Sequence, residues 1–233
     1  MKTVLQIFFR PEKTFNELQQ EEKFPVTALV ILLFLMAVNS ILLVPVTTKV
    51  MAMTMSSLPL SEEQMDRTLA FMYKLRYLLV LGGLISFAAV LFIKALVLYV
   101  VTIVAKPSLT YMESVTLIVF CYFAVILGDF LNTGLLYHRG IDAITNPYEI
   151  SQTGLNLLTT VEEAGLTVYT FLSLINPFQI GFFLLLAAGI KVFAGIRYRK
   201  ALIISIIFWI ITLIYAVGTA FYAQTALEKT GIL

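Results

Sequence analysis

The chain has 233 residues, of which 60% are hydrophobic and 13% charged, with a mean hydropathy of +0.93 and a formal net charge of +2. Soluble domains carry about a quarter charged residues, so that class is excluded and a polytopic membrane protein remains. The small basic excess forms no long run, which sets a nucleic-acid surface aside. The single cysteine, Cys121, leaves no intrachain disulfide or thiolate metal cluster.

Residues 1–24 form an amphipathic cytoplasmic lead. Val4, Leu5, Phe8 and Phe9 precede Arg10-Pro11-Glu12-Lys13, and Phe15 and Leu18 follow at near-helical spacing. Proline loses no hydrogen bond in a first turn and an acid there meets the positive end of the dipole, so a short helix is predicted from about 11 to 20. Either it lies in the interface with its phenylalanines in lipid, or it caps the bundle. The apolar segment that follows is too long for a signal-peptide core, so no cleavage is expected.

The first span is predicted at about 25–46, interrupted only by Asn39 and Ser40. In the polar loop beyond it, Ser61-Glu62-Glu63-Gln64 has the spacing at which hydroxyl and amide reciprocally cap a first turn, so a helix begins near Ser61. No proline or glycine intervenes before Gly82, and this helix is expected to run as one rod into a second span at about 77–104. Lys106-Pro107-Ser108 folds it back into a third span at about 112–137. The second and third spans hold one charge each, Lys94 and Asp129, and each is long enough for the roughly 30 Å hydrocarbon core.

Residues 138–176 are the longest polar connection, with Asp142, Glu149, Glu162 and Glu163 set against Arg139; Glu162 and Glu163 read as a solvated face. Leu166 to Ile175 is apolar but too short to cross, which predicts an interfacial or re-entrant helix before the fourth span. Asn176-Pro177 supplies a cap and first position for that span, at about 177–196. A basic turn, Arg197-Tyr198-Arg199-Lys200, leads to the fifth, at about 201–223, and residues 224–233 form a short external tail. Gly181, Ala188 and Gly195 recur every seven residues, as do Ser205, Thr212 and Thr219, which predicts that the last two spans pack as an antiparallel hairpin. The fold class is all-α: five membrane helices, a short N-terminal helix and an extra interfacial helix.

Orientation follows from the basic residues near span ends. With the N-terminus inside, eight Lys and Arg face the cytoplasm (Lys2, Arg10, Lys13, Lys23, Lys106, Arg197, Arg199, Lys200) and six face out (Lys49, Arg67, Lys74, Arg76, Arg139, Lys229). The N-terminus is therefore expected inside and the C-terminus outside.

Two groups of polar residues are candidates for function. Lys94 and Lys191 lie about 8 to 9 Å of helix rise from the inner boundary and can snorkel. With Lys106, Arg197, Arg199 and Lys200 they make an inner basic collar, which either holds anionic lipid headgroups or only obeys the positive-inside rule. Asn39 and Asp129 lie deeper, about 21 to 22 Å from the inner face, with Asn132, Ser86 and Tyr215 near the same level. They are either a polar intramembrane site for a headgroup, proton or ion, or interhelical hydrogen bonding. One histidine and no hydrolase, metalloprotease or phosphate-loop motif point to no enzyme, no metal and no cofactor.

Several stretches match a known pattern: Arg10-Pro11-Glu12-Lys13-Thr14-Phe15, Lys94-Ala95-Leu96 with Lys106-Pro107-Ser108-Leu109-Thr110-Tyr111, Asn176-Pro177-Phe178-Gln179-Ile180, and Gly189-Ile190-Lys191 followed by Arg199-Lys200-Ala201. Over nearly its whole length the chain resembles the bacterial branch of the Yip1 family. The resemblance implies five membrane helices with a cytoplasmic N-terminus, in a bacterial inner membrane, and no catalytic residues. Eukaryotic members are linked to Rab GTPases through longer cytosolic N-terminal regions, for which the 24-residue lead leaves little room. The expectation is a non-enzymatic scaffold or accessory subunit of a membrane or envelope export or trafficking system, in contact with the bilayer, with anionic phospholipid, and with a membrane-protein partner or a second copy. The alternative is a small transporter or lipid-handling protein using the level of Asn39 and Asp129.

Overall fold

A computed structural model describes residues 2–21, 25–56, 61–107, 109–144, 146, 149–150 and 153–230, with backbone only at 2–5, 21, 62, 72 and 227–230. The expectations on Lys2, Val4, Leu5, Lys23, Glu62, Ser108 and Lys229 fall outside the described residues or side chains. The helices are α1 (Lys2–Phe9), α2 (Pro11–Glu21), α3 (Val26–Leu42), α4 (Val44–Ser56), α5 (Glu62–Ala105), α6 (Tyr111–Arg139), α7 (Val161–Ser173), α8 (Pro177–Phe193) and α9 (Tyr198–Thr230). The protein is all-helical. Tyr73–Ala105, Tyr111–Arg139, Val161–Phe193 and Tyr198–Ala226 are long and apolar enough to cross a membrane, and α3 with α4 makes a fifth span if that bent pair counts as one.

The helix boundaries follow local chemistry. Pro11 opens α2 with Glu12 in its first turn, and Pro177 opens α8. At Ser61 the predicted capping box is present: the Ser61 N–H donates to Gln64 Oε1 at 3.1 Å and the Gln64 N–H to Ser61 Oγ at 3.3 Å. From there α5 continues for 44 residues as one uninterrupted helix. It ends at Lys106, held at φ 64°, with Pro107 unable to continue the helix. A second box opens α6, where the Thr110 N–H donates to Glu113 Oε2 at 2.6 Å and the Glu113 N–H to Thr110 Oγ1 at 3.2 Å.

Three features of the helices differ from expectation. The first span is not straight: α3 and α4 meet at Leu43 with a bend of 54°. Pro45 is the cause, since it has no N–H for the carbonyl of Ile41 and its ring crowds that carbonyl. The extra helix α7 begins at Val161, five residues before the apolar stretch, because Thr160 and Glu163 form a capping box. Glu163 is therefore a cap and not only a solvated acid, while Glu162 is exposed. Within α7, Gly165 sits at φ 74° and interrupts the helix. The Thr167 N–H, displaced from regular helical bonding, donates to Gln224 Oε1 at 3.1 Å, and the Thr167 hydroxyl donates to the same oxygen at 2.9 Å.

The chain divides into two compact units. The first comprises Met1–Met36, Ile85–Leu127 and Pro177–Thr212. Its centre is α6 from Ser114 to Ala124, where every residue is buried, as expected of a helix surrounded on all sides. Phe182 stands over Tyr122 at 5.4 Å between ring centres and beside Phe208 at 6.4 Å. The second unit comprises Ala37–Leu84, Gly128–Asn176 and Leu213–Leu233. Val46, Leu136 and Ile144 form one of its apolar clusters, and Val161, Leu166 and Tyr169 another.

The predicted hairpin of α8 and α9 forms in the first unit, but the small-residue stripes contribute unevenly. The Ser205 hydroxyl donates to the Phe183 carbonyl at 2.9 Å, and Ala188 is buried. Gly181 faces Ala124 of α6 instead, and Gly195, at φ 61°, ends α8 with the Ile196 N–H on the Lys191 carbonyl at 3.2 Å. Thr212 and Thr219 donate to carbonyls of their own helix.

Candidate functional site

Asn39 and Asp129, four to five turns into their helices from sequence, lie in the second unit with Asn132. Asn39 is buried at 2% exposure, and its Oδ1 accepts a 2.8 Å hydrogen bond from the Thr133 hydroxyl. That hydroxyl also lies 2.9 Å from the Asp129 carbonyl, one turn back on α6. It has one proton, so the Asn39 oxygen and the Asp129 carbonyl share it. Thr133 is itself buried, and α3 is tied to α6 through this residue, which sequence reasoning passed over. The i, i+4 relation of Asp129 and Thr133 was visible, but nothing local says that a threonine faces Asn39. One turn further, the Tyr137 hydroxyl donates to the Leu42 carbonyl at 2.6 Å, satisfying an acceptor exposed by the break at Leu43.

The other members of the level are placed differently. Asn132 donates to the Ile150 carbonyl at 3.3 Å. Ser86 is exposed on α5, and Tyr215 is 75% exposed on α9. The polar pairing of the second unit continues at Lys49, whose ammonium donates to the Ile141 carbonyl at 2.9 Å and lies 3.6 Å from Asp142.

The six basic residues of the collar fall into two sets. Lys94 and Lys191 are engaged inside the first unit. The Lys94 ammonium donates to the Tyr122 hydroxyl at 2.5 Å and lies 5.0 Å from the centre of that ring. Lys191 holds both carboxylate oxygens of Glu12 at 2.7 Å. Lys106, Arg197, Arg199 and Lys200 have exposed side chains. None of these four forms a salt bridge among the described residues.

The Glu12–Lys191 pair belongs to the contact that seats α2 on α8. Phe15 is fully buried, its ring edge-on to Phe193 at 6.2 Å. A Cβ on Gly189 would overlap the Leu117 side chain and come within 3.1 Å of the Phe15 ring, so glycine lets the three approach without either side chain having to shift. The Gln19 amide adds a bond to the Phe193 carbonyl at 3.3 Å. Of the two placements considered for the lead, α2 takes the packed one; Phe9 alone of the named phenylalanines is strongly exposed, at 84%.

Cys121 is buried in the centre of the first unit. No group of three or more His, Cys, Asp or Glu that could hold a metal occurs among the described residues. The model of one protein family, the Yip1 domain, matches residues 5–219. No curated protein and no solved structure matches the chain.

Proposed function

Because the chain belongs to the Yip1 family of membrane proteins, we propose that it is a non-enzymatic scaffold or accessory subunit of a membrane export, trafficking or envelope system. It sits in a bacterial inner membrane with its N-terminus in the cytoplasm and its C-terminus outside. The observation that supports this best is the pairing of its deep polar side chain: Asn39 is buried and spends its oxygen on Thr133. A transporter needs such groups free to exchange partners with a substrate, whereas a scaffold needs them satisfied. Asn39 and Asn132 are accordingly packing residues, Asp129 joins them through its backbone carbonyl, and Ser86 and Tyr215 are on exposed faces. Lys106, Arg197, Arg199 and Lys200 remain to meet anionic headgroups or an acidic partner segment. The apolar faces of α9 (Ile203, Ile207, Ile210, Ile214) are exposed and face lipid or a second chain.

The test is native mass spectrometry of the protein extracted gently from its own membrane, paired with an Asn39→Leu, Asp129→Asn double variant. A second protein at fixed stoichiometry, retained by the double variant, is the expected result. A protein that is solitary, and that moves a solute or lipid in proteoliposomes only when Asn39 and Asp129 are intact, would overturn the reading.

A further inference from the structure

A cavity of about 270 Å³ opens within the second unit, between α3–α4 and the first half of α5. It is built from two single helix faces. On α5 the lining residues are Leu69, Tyr73, Arg76, Leu79, Val80 and Gly83, spaced by three and four. Opposite them stand Ser40, Val44, Thr47, Thr48 and Met51, so the cavity lies across the 54° bend at Leu43. Its depth carries two chemistries. Leu79, Val80 and Gly83 lie one to two turns further into the span than Arg76 and make an apolar floor. A Cβ on Gly83 would meet nothing within 4 Å, so the floor has room.

Arg76 marks the polar level. It is the last charge before seventeen uncharged residues, 77–93, and it is flanked by Tyr73 and Tyr77, the residue type that anchors helices at headgroup depth. Its guanidinium carbon stacks 4.1 Å from the centre of the Tyr73 ring and 4.9 Å from that of Tyr77. It also donates a long hydrogen bond, 3.4 Å, to the Tyr77 hydroxyl. Arg76 forms no salt bridge among the described residues, although Arg67, nine positions earlier on the same helix, pairs with Glu63 at 2.6 Å. A guanidinium placed over two rings, with one long hydrogen bond to Tyr77, keeps N–H donors in a fork that fits two phosphate oxygens. The Thr47 and Thr48 hydroxyls donate to the Val44 carbonyl and keep lone pairs to accept with.

We propose that this cavity is a binding site for one anionic phospholipid, with its phosphate on Arg76 and the first carbons of one acyl chain on the floor at Leu79, Val80 and Gly83. A volume just under the range of about 300 to 1,000 Å³ usual for small-molecule pockets suits a phosphate and the start of a chain, not a whole lipid. Arg76 selects a net-anionic headgroup over a zwitterionic one, whose own ammonium neutralises its phosphate. This site is independent of the accessory-subunit reading and separate from the collar residues.

The experiment reconstitutes the full chain in nanodiscs containing equal amounts of phosphatidylglycerol and phosphatidylcholine, and counts retained lipids by native mass spectrometry. One phosphatidylglycerol per chain is expected in preference to phosphatidylcholine. Arg76→Gln should lower its retention about tenfold or more, as for losing a charge-assisted bidentate contact, and Arg76→Lys should give an intermediate loss. Gly83→Leu should lower it with every charge intact, while Arg67→Gln leaves it unchanged. Circular dichroism and thermal melting confirm that each variant is folded. Equal retention of the two lipids, or full retention by Arg76→Gln, overturns the site. Full retention by folded Gly83→Leu overturns the acyl floor, and displacement by millimolar inorganic phosphate makes it a site for the free anion instead.

Discussion

Truncating Phe15 to alanine should undock α2 while leaving the rest of the first unit folded. Phe15 is fully buried, against Phe193 and over the backbone of Gly189. Replacing a core phenylalanine by alanine removes about 3 to 5 kcal/mol, the lost transfer energy plus the cavity left behind. The Glu12–Lys191 pair beside it has side chains 52% and 34% exposed, so screening limits it to about 0 to 1 kcal/mol. The two contacts therefore differ greatly in weight although both cross the same junction. Hydrogen exchange of residues 11–21 in nanodiscs measures the docking equilibrium directly, since amide exchange follows local opening. At about 1.4 kcal/mol per tenfold, Phe15→Ala should accelerate α2 exchange about a hundredfold to a few thousandfold, and Glu12→Gln at most about fivefold. The peptides of α6 from 114 to 124 should keep their protection in both. Exchange of α2 within twofold of wild type in Phe15→Ala, or a larger effect from Glu12→Gln, would refute the view that α2 is held by apolar packing.

Thr133→Val keeps the shape but leaves the Asn39 oxygen without its donor, and should lower thermal stability by about 0.6 to 1.7 kcal/mol, the range found for interhelical bonds in membranes; pairing it with Asn39→Leu should restore most of that loss, read as a double-mutant cycle in detergent melts. Gly189→Ala places a methyl against Leu117 and Phe15 and should destabilise by about 1 to 3 kcal/mol, with faster α2 exchange as its signature. Thr160→Ala removes the cap of α7 and should loosen its first turn by about 1 kcal/mol, seen as faster exchange of residues 161–164 alone. For topology, in a Cys121→Ala background, Glu17→Cys should react with a membrane-impermeant thiol reagent only in inverted vesicles, and Leu158→Cys, 83% exposed, only in right-side-out ones; the opposite pattern would reverse the orientation.

Where a boundary depends on a few adjacent residues, it was legible. Ser61 and Gln64 sit three apart and need only each other, so the start of α5 follows from their spacing, and its 44-residue run follows from an absence of breakers. Pro45 is equally local, but the hydropathy of 25–46 is continuous across it and hides the bend. Thr160-Val161-Glu162-Glu163 carries the same kind of cap as Ser61, but the two acids read first as charge and only second as a hydrogen-bond acceptor. Azimuth was not legible: Asn39 and Tyr215 are expected at one level from helix rise, yet one is buried and the other 75% exposed, because rise along a helix says nothing of which neighbour a side chain faces.

The small residues show the same limit in its sharpest form. A period of seven picks out Gly181, Ala188 and Gly195 as one surface, but Gly181 faces Ala124 of α6 and Gly195 lies past the end of α8, because closeness is decided by what arrives from the other side. Phe15 comes from a helix more than 170 positions away in sequence, and Leu117 from α6, and both press on Gly189, a position the stripe omits. Two bulky side chains converging on one backbone position require glycine there, whereas Gly195 is required by its positive φ and not by any neighbour. The two glycines thus answer to different physics six residues apart. Gly189→Ala should fail through overlap and be relieved by Leu117→Ala, which removes the nearer of the two bulky neighbours, since the Phe15 ring stands 3.1 Å from the added Cβ and Leu117 closer. Gly195→Ala should fail through backbone strain and be indifferent to Leu117, so the pair of double variants separates contact from conformation as the reason for each glycine.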